Sequence, residues 1–510
     1  MQRRRENPAS GRTGAWVLFA AIIGSSMAFI DSTAVNVALP SIGRELQADA
    51  ASLQWVIEGY ALFLSALILI GGSLGDIFGR RLVFVIGIAI FALSSLGCAL
   101  AQNVLILDFA RCVQGVGAAL ATPGSLALIS ANFQGVERGR AIGTWSGFGA
   151  ITAAVGPLLG GWLAEHASWR YVFLINLPLA VVVVVVALAR VPESRDESVD
   201  HTIDVVGASI ATAALGALTY GFIDLQSAQT ATAGLLYCGA GALALVVFGV
   251  YETRTPKPMI PLGIFRSRAF TGANIYTFLL YAALGGSLFF VPFDLQNVQE
   301  YSPSAAGGAM MPFIVIMFLA SRWSGGLVAT IGARLPLTGG AVIAGIGFLA
   351  YARIGVGGSY WTTFFPAAVV LGIGGALFVA PLTTTVMDAA ATAHAGAASG
   401  INNAVSRVAG LLAIAALGIV LANTLYATFD RRTRALQLSP ATLQTLARER
   451  GSLATGSAPA SLAPQDRTRV RAALRNAYTA GFRRTMIISA LLCWAAAVVA
   501  WMTIASTPKT

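Results

Sequence analysis

The sequence predicts an all-α integral membrane protein with fourteen transmembrane helices: two six-helix pseudo-repeats plus two inserted helices. Three observations carry this. Of the 510 residues, 56% are apolar and only 11% charged, against about 45–50% and 25% in a soluble domain. So little charge cannot clothe a water-facing surface of this length. Apolar runs of about 20 residues, the length a helix needs to cross a bilayer, recur along the whole chain. Segments of the first half also reappear in the second.

Lipid offers a bare backbone no hydrogen bonds, so each crossing is a helix. The runs fall near 15–39, 52–74, 82–101, 104–127, 141–163, 171–190, 204–223 and 231–250, then near 270–292, 305–328, 335–355, 361–385, 397–422 and 481–504. An even number puts both termini on one side. The first run holds Asp31 and Asn36 in its core and lacks a small-residue cleavage site, unlike a cleaved signal peptide. With the N-terminus inside, the inner loops collect seventeen Lys and Arg, among them Arg80, Arg81, Arg138 and Arg254. The short outer loops hold only Arg44, Arg170 and Arg353, which is the positive-inside pattern. The expected organisation is a cytoplasmic tail over 1–14, a six-helix bundle over 15–190 and a linker with the inserted pair over 191–255. A second bundle follows over 256–510, with an outer loop at 424–480.

The net charge is +11, yet only Lys257 and Lys509 are lysines and both follow proline. No Gly-Lys pair exists, which excludes a phosphate-binding P-loop. Cys98, Cys112, Cys238 and Cys493 are scattered singly, and with three histidines they make no metal site. No cofactor is expected. Residues 424–484 hold eleven arginines against Asp430, Glu449 and Asp466, so the basic excess is concentrated near one long outer loop and is not a nucleic-acid signature. Loops of this length translocate regardless of charge. Ser439 with Pro440 opens one short helix there, and Val470, Leu474 and Tyr478 give a second an apolar stripe that continues into the last span. A solvated cap over the outer mouth is the first reading; a docking platform for an envelope partner is the other.

The turn Gly72-Ser-Leu-Gly-Asp76-Ile-Phe-Gly79-Arg80-Arg81 has a counterpart in Gly325-Gly-Leu-Val-Ala-Thr-Ile-Gly332-Ala-Arg334, with Ala329 and Ala333 replacing Asp76 and Arg80. Gly115-Val-Gly117-Ala-Ala-Leu120 is matched by Gly372-Ile-Gly374-Gly-Ala-Leu377. Repeats of this kind place one midplane site between two rocking halves in many secondary transporters. Four motifs in order also resemble the major facilitator superfamily, and within it the fourteen-span drug:proton antiporter family. The Gly72–Arg81 turn resembles the superfamily's cytoplasmic signature. Leu107-Asp-Phe-Ala-Arg111-Cys-Val-Gln114-Gly115 resembles its fourth-span arginine motif. Gly156-Pro157-Leu-Leu-Gly160-Gly161 resembles the fifth-span antiporter motif, and Asp31-Ser-Thr-Ala-Val-Asn36-Val-Ala-Leu-Pro40 the fourteen-span family's own signature. The resemblance runs from about Trp16 to the last span and implies a major facilitator fold that exports drugs.

Physical reasons accompany each motif. Glycines in the Gly72–Arg81 turn let two helix ends approach, and Asp76 can accept hydrogen bonds from a helix start or pair with an arginine, forming a cytoplasmic gate. Gly156, Gly160 and Gly161 strip bulk from the fifth span and Pro157 bends it; the resemblance implies a seal that favours exchange over leak. A lone charge in hydrocarbon costs at least about 2.5–3.5 kcal/mol, so intramembrane ionisable groups carry function. Asp31, Glu58 and Arg111 lie at a similar depth, roughly 10 Å inside at about 1.5 Å per residue. One acid can stay paired with the arginine while the other binds and releases a proton. The resemblance places a functional acid at Asp31, with Glu58 as second titrating group and Arg111 organising both; Asp108 is the alternative partner of Arg111. Asn36 and Gln114, with Asn402, Asn403 and Arg407 of the thirteenth span, are expected to line the cavity or to bond across helices.

These residues predict a proton-driven exporter of amphipathic cationic or neutral compounds, not an enzyme, whose partners are small-molecule substrate, protons and the bilayer. It is expected to act as a monomer in the cytoplasmic membrane, with both termini cytoplasmic. Two alternatives stand beside it: a dedicated exporter of one metabolite or self-made antibiotic, and a membrane-embedded enzyme or envelope assembly subunit.

Overall fold

The computed structural model describes residues 11–133, 135–195, 204–225, 230–256, 258, 262–389, 395–436, 438–449, 453 and 461–505. Most of the expected tail and parts of the linker and outer loop lie outside the described residues. The described elements are helical. They are α1 (Gly11–Leu46), α2 (Ala50–Phe78), α3 (Arg80–Ala99), α4 (Val104–Asn132), α5 (Gly135–His166), α6 (Arg170–Leu174), α7 (Asn176–Arg190), α8 (Val205–Asp224) and α9 (Ala231–Arg254). There follow α10 (Arg268–Phe293), α11 (Pro303–Ala309), α12 (Met311–Ile331), α13 (Arg334–Ala352), α14 (Phe364–Ala389), α15 (Ala395–Ala435), α16 (Pro440–Arg448) and α17 (Pro464–Thr503). Short polar caps start several of them: Asp49 accepts from Ser52 N at 2.9 Å, Asn103 from Ile106 N at 2.9 Å and Asp204 from Gly207 N at 2.7 Å, satisfying donors that a helix start leaves free.

Among the described residues, 12 helical stretches are long and apolar enough to cross a membrane. Of the expected spans, those near 141–163 and 305–328 are not among the twelve. They coincide with α5 and with the α11–α12 pair. The second of these is interrupted at Met310 because Pro312 has no N–H to give the preceding turn. The expected span 171–190 is likewise two pieces, α6 and α7, broken at Ile175 three residues before Pro178. In the loop expected outside, Ser439 caps α16 at its Pro440 start, and Val470, Leu474 and Tyr478 are buried on one continuous helix, α17.

The repeat seen in the sequence is a repeat of packing. α4 lies between α2 and α3 as α14 lies between α12 and α13. A Cβ on Gly117 would stand 2.5 Å from Phe91 N, and one on Gly374 would stand 2.6 Å from Ala344 N. Gly79 and Gly332 both adopt positive φ, 117° and 75°, a conformation that glycine tolerates. The arginines beyond them make equivalent bonds. Arg81 donates to Val191 O at 3.0 Å and Arg334 to Ile504 O at 2.7 Å, each at the end of its half's last helix.

We call the end of the bundle where α1 begins proximal and the other distal. At the distal end one apolar cluster joins the halves, with Ala38, Leu39 and Ile42 in the same core as Leu295, Val298 and Ala306. Gln296 donates to Val37 O at 2.8 Å across this seam, and Ser304 N donates to Glu165 at 3.0 Å. Towards the proximal end the first half keeps a separate core around Val17, Phe84, Leu128 and Val183. The bundle is therefore closed distally.

Candidate functional site

The polar centre of the first half lies where α1, α3, α4 and α7 meet. Asp31 and Arg111 are fully buried, and a buried charge needs a partner and hydrogen bonds. Arg111 Nη1 donates to Asp31 Oδ2 at 2.5 Å and to Gln114 Oε1 at 2.6 Å, while its Nε donates to Val56 O of α2 at 2.8 Å. Gln114 Nε2 closes the ring, donating to Asp31 Oδ1 at 2.9 Å and to Ser95 Oγ at 2.8 Å. Asn176 Nδ2 reaches Asp31 Oδ1 at 3.4 Å and Ser95 Oγ at 3.3 Å. The guanidinium lies over the Tyr60 ring, 4.3 Å from its centroid, a favourable placement for a cation.

The three expected charges do not form one cluster. Arg111 takes Asp31 and leaves Glu58 apart: Glu58 is fully buried and neither carboxyl oxygen has a hydrogen-bond partner. Asp108 Oδ1 is also unpartnered; Asp108 lies within electrostatic reach of Arg111, but the ion pair of Arg111 is with Asp31. Gln114 belongs to the Asp31 network, whereas Asn36 lies near the distal end of α1 with its carbonyl oxygen unpartnered. Ser95, Asn176 and Tyr60 complete the site, and nothing in the sequence around them singles them out.

In the second half Asn402 Nδ2 donates to Thr277 Oγ1 at 2.7 Å and to Asn274 Oδ1 at 3.2 Å, tying α15 to α10. Asn403, one residue on, is exposed. Arg407 lies on the same helix within electrostatic reach of Tyr60 and Tyr281. Tyr60 is thus within electrostatic reach of a cation from each half.

At the proximal turn, the carboxylate over the start of α3 belongs to Glu193, which follows α7. It accepts from Arg81 N at 2.9 Å and Leu82 N at 3.1 Å, and Arg81 Nε lies 3.6 Å from it. A helix N-terminus favours such an anion. Arg80 N donates to Ser194 O at 2.8 Å. The side chain of Asp76 lies outside the described residues; a Cβ on Gly72 would stand 3.8 Å from Pro123 Cβ on α4. The glycine motif of α5 packs in two directions. Gly156 lies against Thr33 and Gly160 against Ala34 on α1, while Gly161 meets the Pro303 carbonyl and Ser304 Cα of α11. Gly307 of α11 returns the contact on the Pro157 carbonyl. This motif therefore sits in the distal seam between the halves.

A bundle of apolar helices in two packing repeats, with a buried ion pair inside one of them, defines a multi-pass membrane transporter. A family model described as Major Facilitator Superfamily matches residues 21–414, and the chain belongs to that family; it is a carrier, not an enzyme. It is 35% identical over 427 residues to the multidrug resistance protein Stp of Mycobacterium tuberculosis, covering 82% of this chain and 78% of that one. It is 33% identical over 423 residues to the tetracenomycin C resistance and export protein of Streptomyces glaucescens, covering 82% and 78%. With the methylenomycin A resistance protein of Bacillus subtilis the identity is 30% over 426 residues, covering 81% and 89%. Among solved structures, a bacterial homologue of the lysosomal transporter Spinster in an inward-facing conformation superposes with a TM-score of 0.63 at 18% identity, covering 97% of each chain. A D-xylose–proton symporter gives 0.60 at 14%, covering 97% and 99%. These two share the fold.

Proposed function

We propose that the chain is a proton-driven exporter of amphipathic drugs that alternates between proximally and distally open states. The buried Asp31–Arg111–Gln114 ring, with the unpartnered Glu58 set apart from it, carries this reading. Such an arrangement keeps one carboxyl paired and leaves another to exchange its proton for substrate. Relatives named for drug resistance and export supply the substrate class. In this reading α5 and α11–α12 complete fourteen spans and both termini are cytoplasmic, so the distal end faces outward. The division into bundles over 15–190 and 256–510 with the inserted pair between them belongs to the same reading.

Asp31, Glu58 and Arg111 serve proton or cation coupling, and Gly72, Asp76, Gly79, Arg80 and Arg81 serve the cytoplasmic gate. Gly156, Pro157, Gly160 and Gly161 seal the seam, and Asn36, Gln114, Asn402, Asn403 and Arg407 line the path. The protein works as a monomer in the cytoplasmic membrane. Efflux from energised cells tests this with wild type, Asp31→Asn and Glu58→Gln. Export abolished by a protonophore and by Asp31→Asn is the expected outcome; export that survives both sinks it. A narrower reading, export of a single antibiotic, is favoured by relatives whose names carry one compound each, such as puromycin and lincomycin. Inhibition by one compound without competition from unrelated dyes would select it.

A further inference from the structure

α10 does not end as an α-helix. Its last turn, Asp294–Val298, widens into a π-helix, a geometry that often marks functional positions. That one turn carries two unusual side chains. Gln296, almost fully buried, reaches across the distal seam to Val37 O of the other half, and its own carbonyl oxygen has no partner. Asp294 is 1% exposed. Gln299, a neutral amide, donates to Asp294 Oδ2 at 3.2 Å. Gln299 also donates to Gly355 O at 2.8 Å and accepts from Gly357 N at 2.9 Å, fixing the turn to the loop before α14.

The charged groups around Asp294 come from few directions. α17 presents Arg475 and Tyr478, both within electrostatic reach of it. Arg475 Nη1 is held by Glu300 at 3.0 Å, as is Arg471 Nη2, while Arg475 Nε is buried with no partner. Tyr478 donates to Phe290 O at 3.2 Å. α11 has no ionisable side chain, and Tyr360 of the neighbouring loop donates to Ala309 O at 3.2 Å. On α1, Val37 offers its carbonyl, and Arg44 lies further along, bonded to Ser41 at 3.0 Å. In the closed arrangement Asp294 therefore faces an amide, while the nearest cation is occupied by another acid.

A buried carboxylate without a paired cation is costly as an anion. This closed arrangement suits the neutral acid. Once ionised, Asp294 requires water or the free edge of Arg475, and either one pulls on the turn that holds Gln296 to Val37. We propose that Asp294 is a proton-binding site of the second half, whose protonation from the distal side closes the distal mouth and whose ionisation opens it. The site is separate from the Asp31 network and rests on the alternating-access reading alone, since its test needs no substrate.

The experiment uses the full chain in lipid nanodiscs, with the native cysteines replaced and spin labels at Gln102→Cys and Ser359→Cys. Both positions are exposed, in the distal loops of opposite halves. Pulsed electron resonance then reads the distance between them as the pH is raised. The wild type is expected to gain a long-distance population with rising pH, and Asp294→Asn to stay short throughout. Asp294→Glu should keep the response, and Arg475→Gln should move it to higher pH, because the ionised acid loses its cation. Asp31→Asn, expected to lose export, is still expected to gain the long-distance population with rising pH; if it does not, the site is not separate from the coupling network and the proposal fails. An unresponsive wild type, an Asp294→Asn protein that opens like wild type, or an Arg475→Gln response that stays in place each overturns the proposal.

Discussion

Arg111→Met is the sharpest test of the buried ring. It removes the donors to Asp31, Gln114 and Val56 O and lifts the cation from the Tyr60 ring. Asp31 keeps only amide donors, Gln114 at 2.9 Å and Asn176 at 3.4 Å. Removing one member of a buried ion pair costs about 3–5 kcal/mol, because the other charge is orphaned. Asp31→Asn orphans the guanidinium in the same way, although Val56 O and Gln114 still accept from it. In the double variant neither charge remains, so its loss should be smaller than the sum of the singles by about 2–3 kcal/mol, the upper range for residues in contact. Equilibrium unfolding in mixed detergent, followed by tryptophan fluorescence at fixed neutral pH, measures all four proteins. A cycle that closes within about 0.5 kcal/mol, the scatter of independent sites, would refute the pairing as an energetic unit.

Two glycine tests follow from the packing. Gly160→Val places carbon where the Ala34 carbonyl oxygen lies 2.5 Å away and its Cα 2.7 Å away; neither backbone can yield without parting α5 from α1. Overpacking of this kind costs about 1–3 kcal/mol and should lower the melting midpoint, whereas Gly410→Ala, with nothing within 4 Å, should leave it unchanged or raise it. At the proximal turn, Gly79→Ala meets both a φ of 117° and the Glu193 carboxylate at 2.8 Å. Strain of about 1–3 kcal/mol and loss of the Glu193 clamp are expected, read as a lower melting midpoint together with faster proteolysis between α7 and α8.

Asp31 and Arg111 are legible in the sequence because a charge inside an apolar run has so few explanations, and Gln114 because it sits one turn from the arginine. Ser95 and Asn176 are not, since a small polar residue in a helix is common and only packing reveals its partner. The grouping of Glu58 with Arg111 fails for a geometric reason: spacing along the chain gives depth in the membrane but not azimuth around the bundle. Tyr60 faces Arg111, and Glu58, two residues away at about 100° per residue on a helix of 3.6 residues per turn, points nearly the opposite way. Pro178 and Pro312 are visible too, yet hydropathy makes the runs around them look unbroken because it is blind to a missing N–H. Glu193 is hidden because it acts from the end of α7 on the start of its neighbour α3, more than a hundred residues earlier in the chain.

The face of α2 that carries Glu58 explains where α8 and α9 sit. Trp55 meets Tyr220 of α8 with ring centroids 6.1 Å apart, and Leu62 packs with Leu215 of α8 and Leu411 of α15. The two helices are antiparallel, and this register brings Thr219 to the level of Glu58. Thr219 is also fully buried, with a hydroxyl that has no partner. α8 therefore touches both halves at once, through α2 and α15. Its mate α9 packs against α8, with close approaches of Gly221 to Cys238 and Gly241 to Leu218, while Leu235, Leu236, Leu243 and Val246 are exposed. A pair built this way is held to the bundle by one helix and bathed in lipid by the other. Because α8 spans the seam, any rocking of α2 against α15 has to be absorbed along its surface. The unmatched polar atoms of Glu58 and Thr219 lie in that surface, where apolar packing alone would leave nothing to rearrange.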